Sequence, residues 1–214
     1  MATITFINKK GGVGKSTLSF LLHESLRQAQ KDVAIRDWDP QGTSNKALQL
    51  TGGQPADLHR THEILIYDTP PNLEHVATAT AITASDLIII VSSPSPADLW
   101  EADEAARFAR ERAPRTPVFL LFNKVKKGTL LAGLIEESAK QVGIEPLKCT
   151  LSSRECYQHA IGRGWKALDS GGREEILKLT MELLSLFTKI AANPYRLNSA
   201  EAKAQPTAQA VHSA

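Results

Sequence analysis

The chain's first strand-like run, Ile4 to Ile7, passes without a break into Asn8-Lys9-Lys10-Gly11-Gly12-Val13-Gly14-Lys15-Ser16-Thr17, and then into a helical pattern with Leu18, Leu21, Leu22 and Leu26 on one face. Strand, glycine-rich loop, Lys-Ser and helix, in that order, constrain the fold more than any other feature of the sequence. Glycines let successive backbone N–H groups curl around a polyphosphate, and the helix N-terminus that follows adds partial positive charge. In such a loop Gly11, Gly12, Val13 and Gly14 form the cradle. Lys15 reaches the β- and γ-phosphates, and the Ser16 hydroxyl takes Mg²⁺, with Thr17 beside it.

Two further strand ends carry carboxylates. Val33-Ala34-Ile35-Arg36-Asp37-Trp38-Asp39-Pro40-Gln41-Gly42 begins as a strand and stops at a proline. Carboxylates two residues apart on a strand share a face. In an open α/β sheet the C-terminal strand ends are where ligands bind, so Asp37 and Asp39 can orient water or hold Mg²⁺ through water. Ile64-Leu65-Ile66-Tyr67-Asp68-Thr69-Pro70-Pro71 has the continuous apolar run of a parallel strand buried on both faces. Asp68, at its end, stands where a carboxylate polarises Mg²⁺-bound water.

With Lys10 at the head of Lys-Gly-Gly-Val-Gly-Lys-Ser-Thr, the loop resembles the deviant Walker A box of the ParA/MinD family of ATPases. Asp37 to Gln41 resembles that family's Asp-x-Asp-Pro-Gln signature, and Thr69-Pro70-Pro71 resembles its loop after the third strand. The resemblance implies ATP and Mg²⁺ as cofactors and an ATP-sandwich homodimer in which Lys10 crosses the interface. It implies catalysis by Lys10, Lys15 and Asp39, with Asp39 positioning the attacking water, and a magnesium site of Ser16, Asp37 and Asp68. Hydrolysis is expected to be slow alone and stimulated by a ParB-like or other partner protein. The first strand begins at Thr3 and the stretch from Gly42 to Glu63 is short. These features match the small form of the family, without the N-terminal operator-binding domain of larger members.

Strand and helix patterns alternate along the chain. Strands are expected at 3–7, 33–37, 64–68, 87–91, 118–123 and 147–150, and helices at 15–30, 73–84, 97–113, 130–142, 155–161 and 173–192. This alternation predicts an α/β fold, a P-loop NTPase-like mostly parallel sheet flanked by helices on both faces. One ATPase domain over 1–193 is expected, followed by a polar, flexible tail over 194–214. Cys149 and Cys156 fit no common zinc spacing and read as free thiols in a reducing cytoplasm. The longest apolar run, Leu87 to Val91, is far too short to cross a bilayer.

Asn123 ends the Phe119 to Phe122 strand, and its amide offers both a donor and an acceptor for an adenine edge. Family members place an asparagine there for the base. Lys124, Lys126 and Lys127 read as a solvated basic loop. The formal net charge is only +2, but Arg107 to Lys178 holds fourteen Lys/Arg against eight Asp/Glu. That imbalance biases one region towards phosphate. Lys148, Arg154, Arg163, Lys166 and Arg173 are the candidates for nonspecific DNA binding, resembling the basic late segment of ParA-like proteins. A cytoplasmic, nucleoid-associated switch that segregates or positions a plasmid, chromosome or protein cargo is the function the resemblance implies. The alternative is a MinD-like membrane-cycling ATPase. The last helix argues against it, because Lys178 and Lys189 are sparse cations among core-type residues.

Overall fold

A computed structural model describes residues 1–57 and 59–192. The expected tail over 194–214 lies outside the described residues. Six strands form one parallel sheet: β1 (Ala2–Ile7), β2 (Val33–Asp37), β3 (Ile64–Asp68), β4 (Leu87–Ser92), β5 (Val118–Phe122) and β6 (Glu145–Pro146), in the order β2-β3-β1-β4-β5-β6. The helices are α1 (Lys15–Gln28), α2 (Thr43–Leu50), α3 (Val76–Ala84), α4 (Pro96–Arg112), α5 (Leu130–Gly133), α6 (Ile135–Val142), α7 (Glu155–Arg163) and α8 (Ser170–Ala192), with a 3₁₀ turn at Gly164–Ala167.

Strand alternation sorts the core into two layers. Ile89 and Val91 join Leu18, Leu22, Ile176 and Leu183 on the face covered by α1, α7 and α8. Ile88 and Ile90 join Ala102, Ala106 and Val142 on the face covered by α4 and α6. All six β4 residues are buried, as a central parallel strand requires. The central strand β1 lies between β3 and β4, so its loop opens at the middle of the sheet's C-terminal edge.

Several expected boundaries move, for local reasons. The strand expected at 147–150 is absent, and only Glu145–Pro146 pairs regularly with β5. The backbone N–H groups of Lys148 and Cys149 instead donate to the Glu182 carboxylate of α8, at 2.8 and 2.9 Å. The helix expected over 130–142 divides at Leu134, directly after Gly133, a weak helix former. Helix α3 starts at Val76 rather than Leu73, because His75 caps it by accepting from Ala77 N. Helix α8 starts three residues early and takes in Gly171 and Gly172. A Cβ on Gly171 would lie 2.7 Å from the Arg154 guanidinium, so glycine there leaves room for that side chain beside α8. Helix α2 was not anticipated. It follows Gly42, which holds a left-handed φ of 62°, and it buries Ser44, Ala47 and Leu48.

Candidate functional site

The glycine-rich loop forms around its own lysine. Asn8 anchors the loop by donating to Val91 O (2.7 Å) and accepting from Lys10 N (2.8 Å). Gly14 has φ +107°, and a Cβ there would lie 2.4 Å from Asn123 Nδ2, so both conformation and space demand glycine. Leu18 N then donates to Gly14 O and α1 begins. The Lys15 ammonium is buried and donates to Asn8 O and Lys10 O at 3.2 and 3.3 Å. Burial lowers its pKa, and the nearby Asp68 and Asp39 charges oppose that shift. The cleft bounded by Gly12, Lys15, Ser16, Asp39, Gln41 and Thr43 has a volume of about 210 Å³.

Asp68 lies opposite Asp37 in the β2–β3 register. Its side chain is fully buried. Oδ2 accepts from Ser44 Oγ, while Oδ1 has no hydrogen-bond partner. Burial is the main force pushing its pKa up to about 6; the Ser44 and Ser16 hydroxyls and Lys15 oppose the rise, and Asp37 adds to it. A buried, unpartnered carboxylate oxygen beside Ser16 fits a divalent cation, which would satisfy it. Among the described residues no group of three or more His, Cys, Asp or Glu could hold a metal ion. A magnesium ion here would therefore take most of its ligands from phosphate and water.

Asp37 and Asp39 organise the loop before α2. Asp37 Oδ1 accepts from Asp39 N and Oδ2 from Asn45 N, both at 3.0 Å, so Asp37 spends its oxygens on the turn and on the start of α2. Burial raises the Asp37 pKa, opposed by these bonds. The Asp39 side chain accepts from Gln41 N and lines the open cleft. Ser44 bridges the two boxes, touching Asp68 and donating to Ser16 O at 3.3 Å. Sequence reasoning missed Ser44; its signal was its place one residue after the Asp-Pro-Gln-Gly-Thr turn.

Lys10 turns away from the cleft. Its ammonium pairs with Asp98 in the first turn of α4, and it remains half exposed. Burial opposes ionisation of Asp98, but Lys10 and the Ser93 and Ser95 hydroxyls hold its pKa below the usual value. Asn123 braces the loop: Nδ2 donates to Val13 O (2.8 Å) and Oδ1 accepts from Lys124 N (2.8 Å). One amide hydrogen and one lone pair remain for a base. Lys124 is exposed, as a residue of a solvated basic loop is expected to be, and it also touches the glycine-rich loop. Turned to a left-handed φ of 57°, it sends its ammonium to Gly12 O at 2.6 Å. Asn123 and Lys124 also wall a second recess of about 160 Å³, with Ser153, Arg154, Tyr157 and Gln158 opposite.

The five basic candidates do not form one patch. Arg163, Lys166 and Arg173 are exposed and adjacent at the end of α7, the 3₁₀ turn and the start of α8, and Arg173 donates to Lys166 O at 3.4 Å. Lys148 is exposed but lies near Glu182, further along α8. Arg154 is ion-paired with Glu175 at 2.9 Å and Asp169 at 3.4 Å, its side chain about three-quarters buried. Its charge is therefore largely committed inside the protein.

Residues 4–166 match the CobQ/CobB/MinD/ParA nucleotide binding domain. The chain belongs to this family. The MinD and ParA members of this family are nucleotide-binding ATPases. A curated relative, the maintenance of carboxysome distribution protein A of Halothiobacillus neapolitanus, is 25% identical over 193 residues, covering 80% of this chain and 88% of its own. Among solved structures, one described as a plasmid partition protein of Borrelia burgdorferi, bound to AMPPNP, superposes with a TM-score of 0.71 at 18% identity. It covers 86% of this chain and 98% of its own. The septum site-determining protein MinD of Pyrococcus horikoshii, complexed with Mg-ADP, gives 0.67 at 14% identity, with 85% and 95% covered. At these identities the structures establish a shared fold.

Proposed function

We propose that this chain is an ATP hydrolase acting as a Mg-ATP-dependent dimerising switch. In this reading it binds DNA nonspecifically when loaded with ATP, and a partner protein resets it by stimulating hydrolysis. The observation that carries the proposal is the unpartnered, buried Asp68 oxygen close to Lys15 and Ser16, two residues that line a cleft of about 210 Å³. Lys15 and the loop amides would hold the β- and γ-phosphates. Ser16 and Asp68 would hold Mg²⁺, Asp68 acting through water, with Asp37 shaping the site from behind. Bound there, Mg²⁺ supplies charge neutralisation of the phosphates. Asp39, the carboxylate least engaged by the protein, would orient the attacking water. Lys10 would leave Asp98 and cross to the partner's phosphates in the dimer. Exchanging an internal ion pair for an intermolecular one gives the two states comparable electrostatics, as a switch requires.

Arg163, Lys166 and Arg173 are the DNA surface this reading favours, since Arg154 is held by Glu175 and Lys148 stands apart. The name of the curated relative points towards positioning a large protein cargo, and the partition protein towards plasmids; a cargo moved over the nucleoid unites both. The membrane alternative gains no support from α8, whose Ile176, Leu179 and Leu183 are buried. No helix of the described residues is long and apolar enough to cross a membrane.

Fluorescence anisotropy on two unrelated duplexes, with ATP and with ADP, tests the proposal. Two protomers each offering three cations contact about six phosphates, which gives a log–log salt slope of about −5. ATP-dependent binding of both duplexes with such a slope is expected. The Arg163→Ala, Lys166→Ala double variant should flatten the slope for both alike. Equal binding with ADP, or strong preference for one duplex, would contradict the switch.

A further inference from the structure

One carboxylate outside the phosphate cleft carries an unusual number of bonds. Glu175 of α8 is buried. Its Oε2 accepts from Ser152 N (2.8 Å) and Tyr157 OH (2.7 Å), and its Oε1 from Ser152 Oγ (2.7 Å) and Arg154 Nη2 (2.9 Å). Burial alone would raise its pKa. The Arg154, Ser152 and Tyr157 bonds outweigh burial and draw the pKa down to about 2. All four donors belong to the short segment 152–157. The chain at the start of this segment is stitched to the end of β5 by Leu151 N→Phe122 O (2.9 Å) and to the loop after β5 by Ser153 N→Val125 O (3.1 Å).

That segment forms one wall of the 160 Å³ recess, and the opposite wall is Asn123 and Lys124, both bonded to the glycine-rich loop. The recess shares Gly12, Gly14 and Thr17 with the phosphate cleft, so a ligand whose phosphates lie in one directs its remaining part into the other. Gly171, three ångströms or less from the Arg154 guanidinium if it carried a Cβ, lets α8 seat against this wall.

We propose that Glu175 is a positioning residue for the base of the bound nucleotide: it holds the 152–157 wall at the spacing that a purine ring occupies between that wall and Asn123. The inference rests on the reading of the cleft as a nucleotide site. A carboxylate accepting four hydrogen bonds fixes backbone and side chains together, and Gln cannot replace it. An amide nitrogen in place of either oxygen would face a donor, Ser152 N–H on one side or the Arg154 guanidinium on the other. Charged throughout the neutral range, Glu175 keeps this wall fixed independently of pH near 7.

The test is calorimetry of wild type, Glu175→Gln, Tyr157→Phe and Ser152→Ala with three probes in excess Mg²⁺: ATP, GTP and inorganic tripolyphosphate. In Glu175→Gln, ATP affinity is expected to fall about tenfold, the ATP-to-GTP preference to shrink, and tripolyphosphate affinity to stay within twofold. Tyr157→Phe and Ser152→Ala should lose about threefold for ATP only, and they carry the test if Glu175→Gln does not fold. An equal loss for ATP and tripolyphosphate, or no loss for either, overturns the proposal. If wild type binds tripolyphosphate as tightly as ATP, the base is not held and the proposal falls alone. If wild type binds none of the three, the nucleotide reading itself fails.

Discussion

Replacing Asp68 with Asn should stabilise the ligand-free protein while weakening its use of Mg²⁺. Asn keeps the shape of the side chain and can still accept from Ser44, but carries no charge. The carboxyl is held at about 6 where 3.8 is ordinary, a value that already includes the attraction of Lys15. Ionising it in the folded state therefore costs about 3 kcal/mol. The sign follows from the raised value. The folded state binds the proton more tightly than the unfolded one, so the penalty is absent below about pH 4, grows between pH 4 and 6, and is constant above. For a chain of this length 3 kcal/mol corresponds to roughly 6 to 12 °C in Tm. Thermal unfolding of both proteins in chelator should show coincident melting at pH 4 and a variant more stable by that amount at pH 8. Adding Mg-ATP at pH 8 should raise the wild-type midpoint by more than it raises that of Asp68→Asn, in which Lys15 and the loop amides still hold the phosphates. A variant no more stable than wild type at pH 8 would mean that Asp68 is not a strained buried charge, and the argument for a cation beside Ser16 would lose its physical basis.

Two changes at the cleft separate binding from turnover. Lys15→Ala removes the buried ammonium that the loop carbonyls of Asn8 and Lys10 enclose and should lower nucleotide affinity at least a hundredfold by calorimetry; near-normal binding would remove the phosphate assignment. Asp39→Ala should bind ATP with wild-type affinity yet release phosphate at least tenfold more slowly in a steady-state assay, since its carboxylate lines the cleft and makes only one local bond. Unchanged turnover would take Asp39 out of the mechanism.

Much of this was legible in the chain because it is written in local chemistry. Loop, strand-end carboxylates and apolar strands each occupy contiguous residues, so 33–37 and 64–68 emerge with the expected bounds. Contacts between distant residues were not legible. Lys148 and Cys149 give their N–H groups to Glu182 rather than to a neighbouring strand. Helix α2 is too short for a clear period, and Ser44 acquires meaning only when its helix brings it to Asp68. Arg154 looked like an exposed cation because Glu175, its partner, is 21 residues away and on another helix. Lys124 is exposed as expected, but nothing in the sequence places its ammonium against Gly12, 112 residues earlier.

The central claim is that Lys10 exchanges Asp98 for a partner's nucleotide when ATP closes the dimer. Light scattering coupled to size exclusion, on the slow-hydrolysing Asp39→Ala background with Mg-ATP, measures it most directly. The account predicts a dimer with ATP and a monomer with ADP. Adding Lys10→Gln should return the ATP form to monomer while calorimetric ATP affinity stays within a fewfold. A Lys10→Gln protein that remains fully dimeric with ATP would show that Lys10 is a surface lysine paired with Asp98 and nothing more.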